Sequence, residues 1–171
     1  MSGITVSVDN FARAETDRMF AALHAQAGGV NRWFHYRTPT PVDRQTVIRM
    51  NRDTLYSGAL VDISAGASIT IPEAGHRYIS VMVVNQDHYV NGVFHDPGEH
   101  ELTTGRFGTP YVLAAARVLV DPADPADVAA VNALQDEFSV TAGSARPFHP
   151  ARPRPEILDG TWAFPSLEAG P

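Results

Sequence analysis

Two stretches of the chain are apolar at nearly every position, residues 77–85 (RYISVMVVN) and 111–120 (YVLAAARVLV). A strand apolar on both faces needs cover on both faces, so the two are predicted to be adjacent or nearly adjacent central strands. Shorter apolar runs surround them. Residues 55–63 read as a strand with Gly58 as a candidate bulge, and residues 68–71 as one stopped by Pro72. Residues 89–94 read as a strand interrupted at Asn91 and Gly92, and residues 46–50 as a further short one. Between them, residues 95–99 (HDPGE) have the composition of a turn.

Helical spacing is found only toward the ends. In residues 9–27, Phe11, Met19, Leu23 and Ala27 recur on one side, Asp9 or Asn10 is placed to cap, and Gly28 and Gly29 end the run. Residues 30–45 read as a loop held extended by Pro39 and Pro41. A second helix is predicted from Asp124 as cap and Pro125 in the first turn to Phe138. Strands without helices between them rule out a doubly wound α/β fold. They predict a mainly β (α+β) protein, an antiparallel β-sandwich or open barrel with an N-terminal helix and one helix after the last long strand. Residues 1–143 form one β-rich domain in this reading. Residues 144–171 form a Pro-rich C-terminal tail that wraps the domain or a partner subunit.

Composition narrows the chemistry. The 171 residues include no cysteine, which excludes disulfides, thiolate metal sites and cysteine nucleophiles. All thirteen Lys+Arg residues are arginine, so Schiff-base chemistry and a Walker A lysine are excluded too. A net charge of −6 does not suit a nucleic-acid partner. The basic run 146–154 is read as tail. No apolar run reaches the ~20 residues of a membrane span, and residues 1–10 lack the pattern of a secretory signal, so a cytoplasmic protein is expected. Glycine-rich phosphate loops, nucleophile elbows and HExxH are absent.

Four polar features stand against the apolar background. Asn51, Arg52, Asp53 and Tyr56 flank the start of an apolar strand, either as an Asx turn with a solvated ion pair or at the mouth of a pocket. Asn85, Gln86, Asp87, His88 and Tyr89 end the most apolar strand, where polar side chains must be paired or functional. Adjacent strand residues point to opposite faces, so Asp87 and His88 are not expected to form a dyad. Arg117 interrupts an apolar strand and is expected to be buried against Asp53, Asp62 or Asp87, or to anchor a carboxylate-bearing ligand. His88, His95 and His100, with Asp96 and Glu99, make a metal site conceivable, although their spacing fits neither a helical pair nor a strand pair. His35, within an aromatic run, is a weaker pocket candidate.

The strings VNRWFHYRTPTP, VIRMNRDTLYSGALVDIS, RYISVMVVNQDHYV and RVLVDPADPADVAAVNALQD resemble the bacterial family catalogued as domain of unknown function 1254, over residues 29–136. The resemblance implies a mainly β sandwich-like module with helical flanks, and names no reaction. By position it implies that Asn51, Arg52, Asp53, Tyr56, Asp87, His88, Tyr89, Arg117, Gln135 and Asp136 are the recurring polar residues. Many relatives continue into a second β-rich domain that does not follow here, so a second copy of the chain is expected to complete the assembly.

The functional expectation is a small-molecule enzyme without organic cofactor, of acid–base hydrolase or lyase/isomerase type. Asp53, Asp87 and His88 would be catalytic, and Asn51, Arg52, Tyr56, Tyr89 and Arg117 would bind substrate, in a pocket near both clusters. The alternatives are a non-catalytic ligand-binding or assembly module and a histidine-based metal enzyme. No metal, nucleic-acid or membrane partner is expected, and the chain is expected to be a homodimer or larger.

Overall fold

The computed structural model describes residues 6–41, 43 and 51–150; the strand predicted over residues 46–50 lies outside them. Helix α1 (Phe11–Ala27) leads into strand β1 (Trp33–His35), then β2 (Thr54–Asp62), β3 (Ala67–Ile71), β4 (Ile79–Asn85), β5 (Val90–Phe94) and β6 (Gly98–Leu102). A single helical turn, α2 (Thr104–Phe107), precedes β7 (Tyr111–Leu119), α3 (Pro125–Asp136) and β8 (Ser139–Ala142). The strands form two antiparallel sheets, ordered β1-β2-β7-β4-β5 and β6-β3-β8. The fold is mainly β with helical flanks, as the pattern predicts.

The two central strands pair directly, Ile79 opposite Val118 through to Asn85 opposite Val112. One face of the five-stranded sheet supplies Leu55, Ala59, Val61, Val81, Val83, Val112, Ala114, Ala116 and Val118 to the main core. Ile69, Ile71 and Leu102 of the smaller sheet and Val131 and Phe138 at α3 close it. The opposite face packs against α1 through Phe20, which meets Leu60, Leu113 and Phe148. Strand β4 is therefore buried on both faces for most of its length, whereas β7 ends with Arg117 and Leu119 exposed.

Several local expectations are corrected. Asn10 occupies the cap position of α1, but its Oδ1 accepts a hydrogen bond from the Ser7 amide instead of capping the helix. The buried positions of α1 are Thr16, Asp17 and Phe20, while Phe11 is exposed. Gly58 is no bulge, since β2 and β7 stay in register throughout. It is glycine because a Cβ there would meet the Phe34 ring at 2.5 Å. The bulge lies in β5, where Gly92 pairs with Val83 and Val90 with Val84, leaving Asn91 as the extra residue. The HDPGE stretch is shorter as a turn than predicted, because Gly98 already begins β6. Strands β1 and β8, of three and four residues, are too short for their alternation to register in the sequence.

Residues 144–150 lie against their own domain. Phe148 packs on Phe20 and Tyr111, and the Tyr111 hydroxyl donates to the carbonyls of Arg146 and Pro147. Asp62, fully buried, accepts from the Ser64 amide and hydroxyl, the Ser144 hydroxyl and the Arg146 amide. Burial alone would raise its pKa, but these donors outweigh it and hold the carboxyl at about 2.

Candidate functional site

Register divides the sequence-predicted site residues into two groups. Residues directly opposite on paired strands share a face, so Tyr56 on β2, Arg117 on β7 and Ser80 on β4 form one row across the sheet. Tyr36 extends this row, its amide donating to the Tyr56 carbonyl at 2.8 Å. Leu119 and Tyr78 form the next row, joined by the Leu119 amide to the Tyr78 carbonyl at 3.0 Å. At this end α1 contributes a polar contact, the Tyr36 hydroxyl donating to Gln26 Oε1 at 3.3 Å, and Ser80 and Thr54 are buried within the two rows. Tyr36, Tyr78 and Leu119 are 43%, 50% and 43% exposed.

Arg117 is exposed, which corrects the expectation of a buried ion pair. The apolar cluster that α1 forms on this face takes in Leu113 and, partly buried, Ala115, but not Arg117. Its guanidinium instead lies over the Tyr56 ring, 5.3 Å from the centroid, and has no carboxylate partner among the described residues. Asn51, Arg52 and Asp53 are exposed at the same end, where the Asp53 carbonyl accepts from the Val120 amide.

The second group sits at the opposite end. Asn85 pairs with Val112, five residues along β7 from Arg117, or about 17 Å at ~3.3 Å per residue. The two clusters therefore do not line one pocket. Asn85 organises the turn: its Oδ1 accepts from the amides of Asp87 and Tyr89, and its Nδ2 donates to the Phe107 carbonyl. The turn is docked on α1 by three contacts. Arg13 pairs with Asp87 at 2.6 Å, Gln86 Nε2 donates to Asp17 Oδ1, and His88 Nδ1 lies 2.9 Å from Thr16 Oγ1. The Thr16 hydroxyl donates its hydrogen to the Ala12 carbonyl, so His88 Nδ1–H is the donor in the last contact and Nε2 carries the lone pair. His88 has a left-handed backbone, φ 66°, uncommon outside glycine. Asp87 and His88 do not bond to each other, and Tyr89 is exposed.

The three candidate metal-binding histidines go separate ways. His95 Nδ1 meets the Ile79 carbonyl, and His100 meets the Asp96 carbonyl and the Phe94 ring. Among the described residues no group of three or more His, Asp or Glu is placed to hold a metal ion.

A polar seam between β1, β2 and α3 joins His35, which the sequence offered as a weaker pocket candidate, and Gln135 and Asp136, which the family resemblance named, to Ser57 and Arg37, which the sequence did not single out. His35 Nδ1 lies 2.8 Å from Ser57 Oγ, and Gln135 Nε2 donates to the same oxygen at 3.0 Å and to the carbonyls of Tyr36 and Tyr56. Arg37 follows, pairing with Asp136 at 2.5 Å and donating to the Asn132 carbonyl. Burial holds the His35 pKa below its usual value, and the Arg37 charge adds to this against the opposing Asp136. The available signal was a lone polar residue on each apolar face, Ser57 on β2 and Gln135 on α3.

The described residues form a two-sheet antiparallel module with helical flanks. The chain belongs to the family described as Protein of unknown function (DUF1254), whose pattern it matches over residues 30–142. No curated protein matches it. Among solved structures it is similar to the VPA0106 protein from Vibrio parahaemolyticus, at 13% identity and a TM-score of 0.56. That match covers 85% of this chain and 41% of the other, so the chain spans less than half the length of this structural relative. Among the described residues no helix is long and apolar enough to cross a membrane.

Proposed function

We propose that this chain binds a small organic anion at the end of the five-stranded sheet where Arg117 is exposed, with Arg117 as anchor and Tyr36, Tyr56, Ser80 and Tyr78 around it. One observation carries the reading: Arg117 lies with its charge over Tyr56 and has no carboxylate partner among the described residues. A planar guanidinium seated on a ring keeps its N–H fork for bidentate pairing with a carboxylate. The neighbouring aromatic surface supports a ligand with an aromatic body. If the ligand is turned over, Asp53 is the carboxylate at this end and the candidate general base. The site needs no resident organic cofactor or metal in this reading, and the protein is cytoplasmic. Self-association through a second copy belongs to the same proposal, and light scattering showing a monomer at micromolar concentration would remove it.

The test of binding is a titration of the isotope-labelled chain with benzoate, succinate and phosphate. Benzoate is expected to shift the amides of Tyr56, Ser80, Arg117 and Leu119, and Arg117→Gln to weaken it about tenfold or more. Shifts confined to residues 85–89, or none, would reject the reading.

A second reading, acid–base chemistry at the turn that carries Asp87 and His88, is supported by the His88 geometry. The left-handed backbone marks His88 as a constrained position, and its Nε2 has no hydrogen-bond partner among the described residues. A substrate screen in which His88→Ala behaves as wild type would reject it.

A further inference from the structure

We infer that Gln135, on the far side of the sheet from the proposed anion site, is the positioning residue for its aromatic wall; this rests on the reading above. Gln135 is fully buried, and its Nε2 lies 3.3 Å from the Tyr36 carbonyl, 3.3 Å from the Tyr56 carbonyl and 3.0 Å from Ser57 Oγ. Tyr36 and Tyr56 are themselves joined across β1 and β2 by the Tyr36 amide. The side-chain amide therefore sits where the β1–β2 ladder ends and holds the backbones of both tyrosines. Their side chains project to the opposite face, where the Tyr36 hydroxyl donates to Gln26 Oε1 of α1, while Gln135 approaches from the α3 side.

The other half of the amide argues in the same direction. Gln135 Oε1 is buried without a hydrogen-bond partner among the described residues. An orphaned buried carbonyl is costly, and an apolar residue of similar volume would avoid it. What glutamine supplies here is the donor group, and its acceptors are the two carbonyls and Ser57. Arg37 reinforces the grip from the next residue, tied to Asp136 and to the Asn132 carbonyl on the same helix. Tyr36 thus has a fixed place beside Tyr56, although β1 is an edge strand of only three residues. Tyr56 in turn fixes Arg117 through the ring contact.

The experiment compares benzoate affinity in the wild type, Gln135→Met, Ser57→Ala and Val131→Ala. Methionine keeps the volume and removes the donors. Val131→Ala weakens the packing of α3, through a side chain buried in the core, without touching the clamp. Gln135→Met is expected to weaken benzoate about tenfold and to move the Tyr36 and Tyr56 amide resonances, since small misplacements of binding groups are expensive. Val131→Ala should lose stability and keep its affinity. If Gln135→Met does not fold, Ser57→Ala, which removes one acceptor, is expected to weaken benzoate about threefold. Wild-type binding with unchanged affinity in whichever of these two variants folds would overturn the role of Gln135 and leave the anion site standing. Equal loss in Val131→Ala would reduce Gln135 to a structural residue. No benzoate binding by the wild type would overturn the anion site, and the positioning role with it.

Discussion

Tyr56 and Arg117 stand directly opposite each other on β2 and β7, and the guanidinium lies 5.3 Å from the centre of the tyrosine ring. An arginine in mid-strand is thereby accommodated without a buried counter-charge. Its cost to the fold is small, because Arg117 is exposed to water.

Arg117→Gln is accordingly expected to leave stability almost unchanged, within about 1 kcal/mol, the range of an exposed cation–π contact. Urea denaturation measures this. A loss of about 3 kcal/mol or more would mean that the guanidinium is a buried, paired charge after all.

The fate of Arg117 marks the limit of what the chain pattern conveys. Continuous apolarity over residues 77–85 and 111–120 correctly predicted two adjacent central strands, because burial on both faces is a local property of the sequence. How far α1 reaches over one of those faces is a tertiary property. It depends on where Phe20 meets Leu60 and Leu113, and nothing near Arg117 encodes it. The site residues follow the same rule. The Asn51–Tyr56 cluster and Arg117 were found as polar residues beside apolar strands. His35 and Gln135 were named separately, but their junction at Ser57 was not legible, because the three are separated by 22 and 78 residues. The division of the two polar clusters between opposite ends of the sheet became visible only through the strand register.

His35 gives the fold a pH dependence. Burial and Arg37 depress its pKa below the ordinary 6.5, so the folded protein binds fewer protons there than the unfolded chain. Its contribution is present above pH 6.5 and is lost as pH falls through the depressed folded value. Thermal unfolding measured from pH 7.5 to 5 should show a decline that His35→Gln reduces. An identical pH slope in the variant would locate the sensitivity elsewhere.

Gly58 has no room for a side chain, since a Cβ would lie 2.5 Å from the Phe34 ring. Gly58→Ala must displace that ring or the edge strand that carries it, at an expected cost of about 1–3 kcal/mol. Gly58→Ala combined with Phe34→Leu should recover part of the loss in denaturant titrations. Additive losses would show that the ring contact is not the reason for glycine.

Asp62 joins the end of β2 to residues 144–146, and its four hydrogen-bond donors keep the carboxyl near a pKa of 2 against an ordinary 3.8. A depressed carboxylate stabilises the fold above the unfolded pKa and loses that contribution as pH falls from about 4 to about 2. The shift corresponds to roughly 2 kcal/mol at neutral pH. Asp62→Asn keeps the shape and removes the charge, and should cost about that much at pH 7 while flattening the acid limb of the stability curve. The same junction decides where the chain tolerates shortening. Ending it at Pro150 keeps Phe148 in its contact with Phe20 and Tyr111, whereas ending it at Gly143 removes both that ring and the Ser144 and Arg146 donors. The shorter chain leaves a buried carboxylate short of partners beside an emptied apolar site, and is expected to lose about 4 kcal/mol or more by denaturation. Equal stability of the two shortened chains would show that residues 144–150 contribute nothing to the fold they lie against.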